Sequence, residues 1–175
     1  QQFLNMHKDI DIIIYGATGF TGTLCVKYFQ SLNTTVTWAI AGRNLTKLQE
    51  VAQDNQTKVE ILIADSDDES ALDNMTSRAR VILSTTGPFH RYGSKLVASC
   101  IKNHAHYVDI TGENFWVKGL IGRHHAEASA KGIRIIPSCG FDSIPSDLGT
   151  FFSAKTLAKP IKRIETKPTL ENTLL

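Results

Sequence analysis

Residues 16–22 read Gly-Ala-Thr-Gly-Phe-Thr-Gly and follow directly on the apolar run IDIIIY at 10–15. Glycines at this spacing suit one piece of chemistry. Gly16 lets the chain turn sharply off a strand. Gly19, without a side chain, lets backbone and an anionic diphosphate come close. Gly22 lets the helix that follows sit tightly on the sheet. The first turn of that helix offers free N–H groups and a partial positive charge to phosphate oxygens. Thr18 and Thr21 add hydroxyl donors, and Phe20 stands between them. A bare GxxGxxG is common; its weight here comes from lying between a strand and a helix.

The second chemical signal is a basic residue where an acid could have stood. The apolar run at 36–41 ends in Gly42-Arg43-Asn44. An Asp or Glu at such a strand end accepts bonds from both ribose hydroxyls of NAD, whereas an arginine attracts a 2′-phosphate and can stack on adenine. Arg43, with Lys47 one helical turn on, therefore favours NADP(H) and leaves NAD open. Asp65 closes the next apolar run, in a place suited to the adenine amino group. Thr86, Gly87 and Pro88 close the fourth and would border the nicotinamide. Asp109, Glu113 and Asp142 stand in the later strand-end segments and are the candidate proton donors. Cys139 offers an alternative, a thiol nucleophile for an acyl intermediate. No tyrosine is followed by lysine four residues later, so the Tyr-x-x-x-Lys proton donor is absent. Neither the three cysteines nor the six histidines show metal-ligand spacing, and no metal is expected.

These residues need elements to hold them at one edge. Apolar, β-branched runs at 10–15, 36–41, 59–64, 80–84, 106–109 and 133–136 read as strands. Helical patterns at 20–32, 45–54, 67–77, 92–103, 114–131 and 144–157 separate them. Asn44 is placed to cap the second helix, and Gly132 to end the fifth. Alternating units of this kind predict an α/β fold: a doubly wound parallel sheet of order 3-2-1-4-5-6, with the ligand across the carboxyl ends of its strands. Residues 1–8 read as a tail and 9–159 as the dinucleotide-binding domain. The segment 160–175, with a strand-like start at 161–166, reads as the beginning of a second, truncated domain or as a disordered tail.

Composition excludes several classes. A formal net charge of +2 over 175 residues gives no basic field for nucleic acid. No stretch reaches the ~20 apolar residues of a membrane span. The N-terminus lacks a secretory pattern, and widely spaced cysteines fit a reducing, intracellular compartment.

Taken together, DIIIYGATGFTG at 11–22, WAIAGRN at 38–44, STTGPFHRYGSKLVASC at 84–100, YVDITGE at 107–113 and PSCGFDSIPSDLG at 137–149 are specific. The chain resembles the saccharopine dehydrogenase-like oxidoreductases, the family that includes bacterial trans-acting enoyl reductases. The resemblance spans nearly all of residues 9 to 158. It implies a Rossmann domain binding NADP(H), with a following domain that carries the substrate cavity and the homodimer contact. It implies reduction of an unsaturated or carbonyl carbon in a small-molecule or lipid substrate. For animal relatives it implies the cytoplasm, lipid droplets or mitochondria. Without the second domain, the active site is expected to be incomplete. Two rival readings stay open: a Cys139-dependent semialdehyde dehydrogenase or acyl-phosphate reductase, and a non-catalytic dinucleotide-binding protein.

Overall fold

The computed structural model describes residues 8–32, 34–157 and 161–165. The chain alternates strand and helix throughout: β1 (Ile10–Tyr15), α1 (Phe20–Ser31), β2 (Trp38–Gly42), α2 (Leu45–Asp54), β3 (Glu60–Ile63), α3 (Glu69–Arg78), β4 (Ala79–Ser84), α4 (Phe89–Lys102), β5 (His106–Asp109), α5 (Asn114–Ala130), β6 (Ile135–Ile136) and α6 (Ile144–Thr156). All six strands pair in parallel, in the order β3-β2-β1-β4-β5-β6. The expected doubly wound sheet is present, and the order reverses between β1 and β4. Tyr15 lies beside both Ala41 of β2 and Ser84 of β4, so the carboxyl ends of the three central strands are level.

Side chains alternate between the two faces, as the pleat requires. Ile14 and Ile40 pack with Val26, Leu48 and Ala52 under α1 and α2. Ile13, Tyr15, Ala39, Ala41 and Ile82 pack with α3, α4 and α5 through Leu72, Leu96, Val97 and Trp116. Both faces are covered, which is why the strands read as continuous apolar runs.

Some boundaries differ from expectation. β2 begins at Trp38 rather than at residue 36, and β3 spans Glu60–Ile63 rather than 59–64. α3 starts at Glu69 because the Asp68 side chain accepts from the Ala71 N–H and caps it. α4 starts at Phe89, three residues earlier than its apolar pattern suggests. β6 is only two residues long and, among the described residues, has β5 as its one neighbour. Residues 161–165 carry no regular structure, so the expected strand is not found there; residue 166 lies outside the described residues, as does most of the expected tail. Asn44 caps α2 by accepting from the Lys47 N–H, and Gly132 follows α5 at φ +67°.

Candidate dinucleotide site

The phosphate loop is built as its glycines imply. Gly16 sits at φ +86°, a left-handed conformation that glycine adopts without strain. Its N–H donates to Ala41 O at 2.9 Å, and its carbonyl accepts from the Gly19 N–H at 3.0 Å. A Cβ on Gly22 would lie 2.1 Å from Gly16 O, so α1 packs against the turn at a distance only glycine allows. Thr85 ties in the neighbouring loop: its hydroxyl donates to Tyr15 O or Gly16 O, at 3.2 and 3.1 Å. The N–H groups of Phe20, Thr21 and Gly22 open α1 and have no acceptor within the helix.

A cleft of about 230 Å³ lies over this loop, across the point where the strand order reverses. Gly16, Thr18 and Gly19 form its floor; Gly42 and Arg43 line it on the β2 side and Thr86 and Gly87 on the β4 side, with Ser66 and Tyr92 also in its wall. The structure thus brings together Gly16, Thr18, Gly19, Arg43, Thr86 and Gly87 from the expected set, while Phe20, Thr21, Gly22 and Pro88 adjoin them in the chain. Asp65 does not line the cleft. Its carboxylate accepts from the Asp67 N–H at 2.9 Å and shapes the β3–α3 turn, leaving Ser66 to face inward. Ser66, Thr85, Tyr15 and Tyr92 were not singled out by sequence. Tyr15 is 3% exposed, Ser66 interacts with its phenol, and burial holds that phenol well above its usual pKa.

The residues fit a dinucleotide on three counts. The glycine cradle leaves room for a diphosphate. The Thr86 hydroxyl is buried without a hydrogen-bond partner among the described residues. A cation, not a carboxylate, closes the end beside β2.

The candidate acids have other duties. Asp109 is 1% exposed and accepts from the Tyr107 hydroxyl at 2.8 Å, the Thr111 N–H at 3.0 Å and the Ser138 N–H at 2.9 Å. Burial raises its pKa against the pull of those three donors. It joins the β5 and β6 loops and has almost no exposed surface. Glu113 accepts from the Phe89 and His90 N–H groups at 2.8 Å each and from His90 Nδ1 at 2.7 Å. Burial works to raise its pKa, but the donation from His90 and Phe89 outweighs it and holds the carboxyl below its usual range. Both carboxylate oxygens of Glu113 are thus spent on the start of α4, which they cap. Asp142 is exposed in the turn before α6, away from the cleft lining. The Cys139 thiol faces Ile136 O at 3.2 Å, and burial followed by the nearby Asp109 raises its pKa, the opposite of an activated nucleophile. Among the described residues, no three His, Cys, Asp or Glu side chains gather as metal ligands.

Comparison with known proteins agrees with this geometry. The family model described as the saccharopine dehydrogenase NADP binding domain matches residues 12–136. A trans-acting enoyl reductase of Mycobacterium leprae is 41% identical over 147 residues, covering 82% of this chain and 35% of that protein. A lipid droplet localized protein of Caenorhabditis elegans is 34% identical over 168 residues, covering 89% of this chain and 38% of that protein. The chain thus spans little more than a third of the length of these relatives. Among solved structures, apo saccharopine dehydrogenase (L-Glu forming) of Saccharomyces cerevisiae superposes with a TM-score of 0.68 at 20% identity. It covers 83% of this chain and 31% of its own, and shows the shared fold alone. The match over 12–136 contains the glycine turn, Arg43 and the Thr85–Gly87 loop, and by it the chain belongs to the saccharopine dehydrogenase NADP-binding domain family, whose cofactor is NADP.

Proposed function

We propose that this chain is the cofactor domain of an NADPH-dependent oxidoreductase that reduces an unsaturated or carbonyl carbon of a lipid-related substrate. The observation that carries the reading is the cleft itself: a glycine-built floor with Arg43 at one end and the Thr86–Gly87 loop at the other. Gly16, Thr18, Gly19, Phe20, Thr21 and Gly22 hold the diphosphate through backbone N–H groups and hydroxyls. Arg43 holds the 2′-phosphate. Thr86, Gly87 and Pro88 border the nicotinamide. Asp65 acts on the adenine side by shaping the turn that presents Ser66. When bound, the reduced nicotinamide supplies a hydride.

An apolar substrate fits the rim of this edge. Phe20, Phe115 and Phe141, at the starts of α1 and α5 and in the β6–α6 loop, are 86%, 69% and 75% exposed. Phenylalanines this open, at the carboxyl ends of strands, favour an apolar ligand or covering domain over water. The relatives' names point the same way: one is called an enoyl reductase, another a lipid droplet protein. On this reading residues 9–159 form the cofactor domain and 160–175 lead into a second one, which completes the substrate cavity and carries the dimer contact. We read association with a lipid surface as peripheral, after the lipid droplet relative's name; no helix among the described residues is long and apolar enough to cross a membrane.

The test is stoichiometric. The full-length protein, given NADPH and a trans-2-enoyl thioester or a long-chain ketone, should oxidise one NADPH per double bond or carbonyl reduced. Tight NADPH binding without oxidation across such acceptors would instead identify a dinucleotide-binding protein without chemistry.

A further inference from the structure

We propose that the outer half of the sheet, on the face where α1 and α2 pack, seats one amphipathic helix supplied by the part of the full-length protein outside these 175 residues. The handedness of the fold leaves that half-face open. From β1 through β2 to β3 the chain steps one way along the sheet, and right-handed crossovers put α1 and α2 on one face. It then steps back through β4, β5 and β6, and the same handedness puts α3, α4 and α5 on the opposite face. Among the described residues no crossover helix lies over β5 and β6 on the first face.

One row of side chains records where the cover ends. Ile40, Ile14, Leu83, Val108 and Ile136 are successive partners across β2, β1, β4, β5 and β6. Partners of this kind point to the same side of the sheet. Ile40 and Ile14 are fully buried beneath α1 and α2. Leu83 is partly buried at the rim of their cluster. Val108 is partly open and belongs to neither core cluster, and Ile136 is 47% exposed. Val81 and His106 are partners in the row below, and both are partly open. The alternate residues Ile82, Tyr107 and Ile135 face the other way, into the core under α4 and α5. The outer strands are thus apolar on both sides, as in parallel sheets whose two faces are both covered.

The size of the open strip selects its occupant. Strands stand about 4.8 Å apart, so β4 to β6 spans roughly 10 Å, the width of one helix. Two rows of side chains on such a strip offer on the order of 100 Å², far below the roughly 800 Å² that each partner buries in a stable complex. A second copy of the chain would find too little surface there, whereas a tethered segment of the same polypeptide needs no more. Such a segment has room to exist: the mycobacterial and nematode relatives each keep nearly two thirds of their length outside the match. The described helix left over is α6, yet none of its residues is buried and it joins neither core cluster. Since Leu83, Val108 and Ile136 are uncharged, the incoming helix presents an apolar stripe at every third or fourth residue. The proposal is independent of the cofactor reading, because no part of this strip lines the dinucleotide cleft.

The experiment has two arms on the full-length protein, neither using NADPH. In the first, hydroxyl-radical footprinting of the wild type is read by mass spectrometry against the urea-unfolded chain. Ile136 should be protected fivefold or more, whereas Ile63, 48% exposed at the other edge of the sheet, serves as the comparison. Protection of Ile136 below fivefold means an open strip and overturns the proposal. In the second, photo-leucine replaces leucine, a near-isosteric change that spares the packing, and cross-links from position 83 are mapped in an equal mixture of light and ¹⁵N-labelled protein after subunit exchange. Links from Leu83 to a segment outside residues 1–175, within chains of one isotope, are the result expected. Links that join light to heavy chains would identify a second copy as the cover, and links confined to residues 1–175 would leave no incoming helix; either result overturns the proposal.

Discussion

At the scale of single residues, the site is a matter of how closely atoms approach. Gly22 is the tightest position, since any side chain there meets the Gly16 carbonyl and the Ala17 Cα. Gly22→Ala should push α1 away from the turn. Overpacking of this sort costs about 1–3 kcal/mol, and a thermal melt should show it together with at least a tenfold weaker NADPH affinity. A variant that melts and binds like wild type would mean that the helix is not seated by this contact. Gly16→Ala carries two penalties, a left-handed φ and a Cβ placed 2.3 Å from the Thr86 hydroxyl, and should bind less still. The glycines and Arg43 were legible in the sequence because their spacing after a strand states their use. Ser66 and Tyr92 were not. Ser66 enters the cleft through the turn that Asp65 shapes, a short-range contact between side chain and backbone, and Tyr92 through the seating of α4, where Gly93 meets Trp116 of α5, a distant part of the chain.

At the scale of elements, the informative surprise is the start of α4. Its apolar pattern marks a beginning at Tyr92, yet the helix opens at Phe89. The added turn depends on Glu113, 24 residues beyond Phe89, whose carboxylate accepts from the first two N–H groups. A cap supplied from another loop leaves no local signature in the sequence, unlike Asn44 and Asp68, which sit beside the helices they cap. Glu113→Ala should cost about 0.5–2 kcal/mol, the range measured for lost caps, and lower the Tm by about 1–8 °C for a domain of this size. Because folding lowers the pKa of Glu113, its contribution is complete above the ordinary glutamate range and fades as the pH falls through the lower, folded-state value. The gap in Tm between wild type and Glu113→Ala should therefore close in acid. A gap that persists unchanged to strongly acidic pH would show that the carboxylate is not its source.

At the scale of the whole molecule, the order of the sheet was legible because right-handed βαβ units leave few other arrangements. The far edge was not. Among the described residues β6 has a single neighbour and shrinks to two residues, and no residue of α6 is buried. Leu148, Phe151 and Phe152 stand open on that helix. Since α6 contributes nothing to the core, Phe151→Ser combined with Phe152→Ser should change stability by no more than about 0.5 kcal/mol per site. A loss of several degrees in the melt would show that the helix is packed after all.

The central claim is that residues 16–22 and Arg43 form one NADPH site, and calorimetric titration tests it most directly. Wild type should bind NADPH more tightly than NADH, and Arg43→Ala should remove most of that difference while leaving NADH binding nearly unchanged. Equal affinities for the two cofactors in wild type, or a preference that survives the loss of Arg43, would contradict it.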